Sequence, residues 1–125
     1  MSDLGKPVWH DLTVPDAPGV RAFYEKVVGW TFEPHPMGGY DDYSMKAADG
    51  TVVTGVCHAR GTNADVPPQW LIYFKVMSVA DAARACAASG GRVIDGPRQM
   101  GGVDFCVVQD PAGAVCALVS DPEPA

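Results

Sequence analysis

The sequence predicts an α+β domain built from two βαβββ modules joined by a polar connector. Three observations predict it. One pattern occurs twice: His10-Asp-Leu-Thr-Val-Pro-Asp16 leads into a helix-periodic stretch from Gly19 to Trp30 and Phe32, and Ile72-Tyr-Phe-Lys-Val-Met-Ser78 leads into Ala80 to Ile94. Each passage reads as strand, capping residue, amphipathic helix, glycine stop and strand. Each is followed by short runs broken by turn residues, as in meandering strands. Between them Gly61-Thr-Asn-Ala-Asp-Val-Pro-Pro68 is polar and proline-rich, the composition of a connector. Helices segregated to one side of curved sheets make the class α+β.

Taken in order, Val8 to Val14 alternates around Leu12 and reads as a strand. Pro15 ends it, because proline cannot donate to the ladder. Asp16 then serves as N-cap, accepting from the free amides of the first turn. Val20, Phe23, Tyr24, Val27 and Val28 form a helical stripe, and Gly29 closes the helix. Trp30 to Pro36 is the second strand, Gly38-Gly39 a turn, and Tyr40 to Ala47 the third strand. Asp49-Gly50 signals a hairpin into Thr51 to Ala59. In the second half Trp70 to Val76 is a strand and Ser78 caps a helix to about Ala88, stopped by Gly90-Gly91. Its Val79, Ala82, Ala83 and Cys86 recur on one face. Arg92 to Asp95, Val103 to Gln109 and Ala114 to Ser120 are the remaining strands. Asp110-Pro-Ala-Gly113 fits a type I turn between the last two.

At 125 residues the chain reads as one domain over 1–125, with the first module at about 7–60, the linker at about 61–68 and the second module at about 69–121. The formal charge of −6 and the absence of any basic run of four residues argue against nucleic acid or an anionic membrane as partner. Cys57, Cys86, Cys106 and Cys116 form no CxxC pair, so zinc-ribbon and thioredoxin-like motifs are excluded. Scattered thiols with no apolar export segment point to a cytoplasmic protein. No Walker loop or Gly-x-Ser-x-Gly is present.

Val14-Pro-Asp16, Ala22-Phe-Tyr24, Val28-Gly-Trp30 and Asp110-Pro-Ala-Gly113, in that order, resemble the vicinal oxygen chelate superfamily. This is the group of glyoxalase I, bleomycin-resistance proteins and extradiol dioxygenases. The Trp9-His10-Asp-Leu opening and Pro67-Pro-Gln-Trp70 look like a bacterial glyoxalase-like branch of it. The resemblance implies eight strands in an incomplete barrel around a cavity, and a homodimer. In catalytic members it implies one divalent metal held by four His or Glu side chains, from the first and last strand of each module. Carried over residue by residue, those positions fall on Trp9, Leu71, Ala117 and a residue near Gly55, and none is a metal ligand. A one-residue slip would bring in His10 and Cys116, at the cost of turning Leu12 and Val14 towards the cavity.

No cofactor is therefore expected. The alternative is one divalent metal bound through non-standard ligands including His10. His10 and Asp11 are the candidate catalytic residues: an imidazole suits acid–base work, and a desolvated carboxylate suits proton abstraction. Adjacent in a strand, they point to opposite faces and cannot share one internal metal. The candidate ligand-binding set is Trp9, Asp11, Tyr40, Tyr43, Cys57, Trp70, Tyr73, Phe105 and Cys116, strand residues of which a part would line a pocket for a flat apolar molecule. Two functions follow. One is a protein that binds a small aromatic or amphipathic molecule in a metal-free cavity, as bleomycin-resistance proteins sequester their ligand. The other is a metal-dependent lyase, isomerase or dioxygenase of the superfamily.

Overall fold

The computed structural model describes residues 2–122. The elements run β1 (Pro7–Val14), α1 (Ala17–Val28), β2 (Thr31–Pro36), β3 (Asp41–Lys46), β4 (Val52–His58), a 3-10 turn at Gly61–Asn63, β5 (Trp70–Lys75), α2 (Val79–Ala88), β6 (Arg92–Met100), β7 (Val103–Gln109) and β8 (Val115–Ser120). This is the α+β order read from the sequence. The contacts divide the chain into a unit of residues 10–70 and a unit of residues 1–9 with 71–125, so β1 contributes its first three residues to one and its last five to the other. No helix among the described residues is long and apolar enough to cross a membrane.

In the 10–70 unit the strands are ordered β2-β3-β4-β1. β1 and β4 run parallel with Leu12 opposite Val56, and the other pairs are antiparallel. α1 begins where the sequence puts its cap: the Asp16 carboxylate accepts from the Gly19 amide at 3.1 Å. It ends at Gly29, whose φ of +83° is the left-handed conformation that glycine adopts without penalty. The core is Leu12, Val14, Ala17, Met45 and Val56, with Val20, Tyr24, Trp30, Tyr43 and Trp70 packed on it. The helical stripe is wider than the face it buries. Phe23 and Val27 are 55% and 63% exposed, because only one turn-face of α1 meets the sheet.

In the other unit the order is β5-β8-β7-β6, with β5 and β8 parallel and Tyr73 opposite Ala117. Ser78 caps α2 by accepting from the Asp81 amide. Val79 and Ala83 bury against Cys106 and Val108, with Cys86, Val93, Cys116 and Leu118 around them. The Val79 amide donates to Ser120 Oγ at 3.1 Å, tying the start of α2 to the end of β8. Asp110 folds its own turn: Gly113 N–H donates to its carbonyl, and its carboxylate accepts from the amides of Ala112 and Ala114.

β6 departs from the sequence reading, which stopped it at Asp95. The strand continues to Met100 because Gly96-Pro97 is accommodated as an irregularity. Asp95 pairs with Val107, and pairing resumes at Arg98 opposite Phe105. Gly96 has φ +86°, and a Cβ there would lie 2.7 Å from the Phe105 carbonyl oxygen. Only glycine fits this close approach.

Candidate functional site

In each unit the strands have one face under the helix and one turned away from it. Leu12 and Val14 lie on the α1 side, so Asp11 and Thr13 project from the opposite face and His10 shares the Leu12 side. The His10 carbonyl accepts from Thr54 Oγ1 at 2.8 Å. Asp11 and Cys57 meet across Gly55, where a Cβ would touch Asp11 Cβ at 3.7 Å and Cys57 Sγ at 3.8 Å. Farther along that face His35 Nε2 lies 2.5 Å from Ser44 Oγ, and Lys46 donates to Glu33 at 2.6 Å. The Lys46 ammonium holds the Glu33 carboxyl below its usual range, and a Thr51 amide does the same for Asp49.

Burial pushes the Cys57 thiol well above its ordinary value, and the negative charges of Asp11 and Asp42 push it further. Activation of this thiol would need a cationic neighbour, and His58 is adjacent to it in sequence. His58 instead leaves the other face of β4, so Cys57 sees carboxylates and stays a neutral thiol.

Asp42 is the residue that sequence reasoning missed. Its Oδ1 accepts from the His58 amide at 2.8 Å and lies 3.4 Å from His58 Nδ1. That second distance is an electrostatic contact rather than a formed hydrogen bond, and Nδ1 is buried without a hydrogen-bond partner. The imidazole, 10% exposed, is covered edge-on by Tyr40 at 5.0 Å, and Arg60 stacks on Tyr40 at 4.2 Å. The available signal was the pairing register of β3 with β4, which a bulge alters at Met45/Lys46.

The candidate aromatic residues separate. Tyr43 packs on the α1 core, with Phe32 edge-on at 5.5 Å and Arg21 above both rings. Trp70 donates its indole N–H to Tyr24 Oη at 3.0 Å on the same side. Cys116 packs on the α2 core. Tyr73 and Phe105 lie on the face away from α2, 5.7 Å apart, where Arg98 reaches over Phe105 while paired with Asp95. On that face a cavity of about 310 Å³ opens between Trp9, Val8, Tyr73, Lys75, Met100, Val103, Val119 and Asp3. Trp9 and Tyr73 thus meet around this cavity.

The metal of the catalytic relatives needs oxygen or nitrogen donors able to displace its water. Trp9 and Gly55 offer none, and Leu71 and Ala117, both fully buried, present hydrocarbon. These positions do not fit a chelated divalent ion. Among the described residues no group of three or more His, Cys, Asp or Glu is placed to hold one.

Comparison with known proteins identifies the family and the fold. A family model described as a glyoxalase-like domain matches residues 8–119. Two mycobacterial proteins named CFP32 and described as candidate glyoxylases, from Mycobacterium bovis and Mycobacterium tuberculosis, are each 32% identical over 121 residues. The alignment takes in 95% of this chain and 45% of theirs, so the chain spans about half the length of the curated relatives it matches. A glyoxalase/bleomycin resistance protein/dioxygenase superfamily member from Vibrio splendidus superposes with a TM-score of 0.56 at 12% identity, over 90% of this chain and 97% of that one. Methylmalonyl-CoA epimerase from Mycobacterium tuberculosis gives 0.55 at 13% identity, over 98% and 93%. At such identity these structures show a shared fold alone. The family match, covering nearly every strand described above, shows more: this chain belongs to the glyoxalase-like family.

Proposed function

We propose that the chain binds a small aromatic or amphipathic molecule in the cavity beside Tyr73, without a chelated metal. One observation carries the reading: an apolar cavity of about 310 Å³ with an indole and a phenol in its wall. That volume lies in the range of small-molecule sites, which are mostly apolar with a few polar groups that fix orientation. The hydrocarbon side chains at the family's ligand positions Leu71 and Ala117 favour binding over metal-assisted chemistry. The chain's charge of −6 likewise favours a small ligand over nucleic acid.

The test fills the cavity. Naphthalene-sized compounds should raise the melting temperature of the protein in proportion to the logarithm of their concentration. Val103→Trp should abolish that rise while leaving the ligand-free protein folded. A rise that survives in the filled variant would refute binding at this place. Elemental mass spectrometry after incubation with Mn, Fe, Ni or Zn tests the metal-free part. Near-stoichiometric uptake that disappears in His10→Ala would replace this reading with a metalloenzyme.

A further inference from the structure

The cavity wall is apolar, but one cation stands in it. Tyr73 and Lys75 are two residues apart on β5, so their side chains leave the same face, and both line the cavity. Lys75 also borders a neighbouring polar depression of about 330 Å³ with Ser2, Asp3, Met77 and Asp121. It is the only basic side chain lining either hollow among the described residues.

Its ammonium lies 2.9 Å from Asp121 Oδ1, and the two ends of that pair are in unlike surroundings. The Lys75 side chain is 27% exposed and that of Asp121 is 84% exposed. A largely hydrated carboxylate just past the end of β8 therefore holds a largely covered ammonium. Such half-exposed pairs contribute little, because the exposed carboxylate is nearly as well served by water. A carboxylate carried on an aromatic body faces a different balance. Its ring gains from burial against Trp9 and Tyr73, and its charge meets the ammonium where less water competes.

We propose that Lys75 anchors the anionic head of an aromatic ligand whose ring occupies the cavity, and that Asp121 is a tethered carboxylate which the ligand displaces. The inference rests on the cavity-binding reading above and names the ligand class for it. Asp3 sets the opposing case. Its carboxylate lines both hollows and lies 3.9 Å from Lys6 Nζ, so recognition through Asp3 would favour an aromatic amine.

Three probes with one ring system decide: 2-naphthoate, 2-naphthamide and 2-naphthylmethylamine, titrated by calorimetry at low salt. The naphthoate should bind about tenfold more tightly than the amide, the ratio expected for one charge-assisted hydrogen bond. Lys75→Met should bring the naphthoate down to the level of the amide and leave the amide unchanged. Lys75→Arg should keep the preference, and the unchanged amide binding shows that Lys75→Met folds. Asp121→Asn, a surface change, should tighten naphthoate binding and leave the amide alone. Equal binding of naphthoate and amide, preference for the amine, or indifference to Lys75→Met overturns the inference while the cavity reading stands. If none of the three binds, both fall.

Discussion

A thiol set between two carboxylates is a poor nucleophile, and Cys57 occupies that position between Asp11 and Asp42. Cys106, wholly buried on β7, is pushed up to about 12 by burial and by neighbouring Cys86 and Cys116. Cys86 stands at the half-exposed edge of the α2 core. Iodoacetamide at pH 8 should therefore label Cys86 first and leave Cys57 and Cys106 intact until the protein unfolds, because the thiolate is the reacting species. Peptide mass spectrometry reads the order, and early labelling of Cys57 would contradict its acidic surroundings. At this scale the sequence was partly legible. Alternation opposes His10 to Asp11. It does not tell which face the helix covers, so Tyr43 and Trp70 could not be separated in advance from Tyr73 and Phe105.

The secondary-structure elements were the most legible part, because caps and turns are local chemistry. Asp16 and Gly29 bound α1 as read, and Asp110 builds the β7–β8 turn from its own carboxylate. Asp16→Ala should cost about 1 kcal/mol in urea denaturation, since the Gly19 amide loses its acceptor, while Asp16→Asn should retain most of the stability. Equal losses in both variants would show that charge, rather than the cap bond, matters there. What escaped were bulges. The hairpin at Asp49-Gly50 pairs Lys46 with Val52, and without irregularity Tyr43 would then face Gly55. The shift between Met45 and Lys46 places it opposite Val56 instead. One inserted residue thus moves Tyr43 to the α1 side and puts Asp42 beside Cys57. Gly96-Pro97 concealed the second half of β6 for the same reason: a sequence that reads as a break is absorbed as a kink.

Across the whole molecule the covered thiols couple stability to alkaline pH. Cys57, Cys106 and Cys116 all hold their protons above the ordinary value of 9.0, chiefly through burial. Above that value the unfolded chain releases protons that the folded chain keeps. Folded-state pKa values raised in this way give stability that is complete below pH 9 and lost as pH rises towards 12. The urea midpoint should fall between pH 8 and pH 10.5, and it should fall less in Cys106→Ala than in the parent. The growing negative charge acts on both proteins alike, so the difference isolates the thiol. Parallel curves would remove Cys106 from the account.

The division of β1 bears on how the chain could be cut. The C-terminal module is not a self-sufficient half, because residues 1–9 belong with residues 71–125. Lys75 exchanges backbone hydrogen bonds with Gly5 and Lys6, and Asp3, Val8 and Trp9 form part of the cavity wall. Severing the connector at residues 61–68 would yield a second fragment with an unpaired strand margin and an incomplete cavity wall. That fragment would regain both only when the first fragment is supplied in trans.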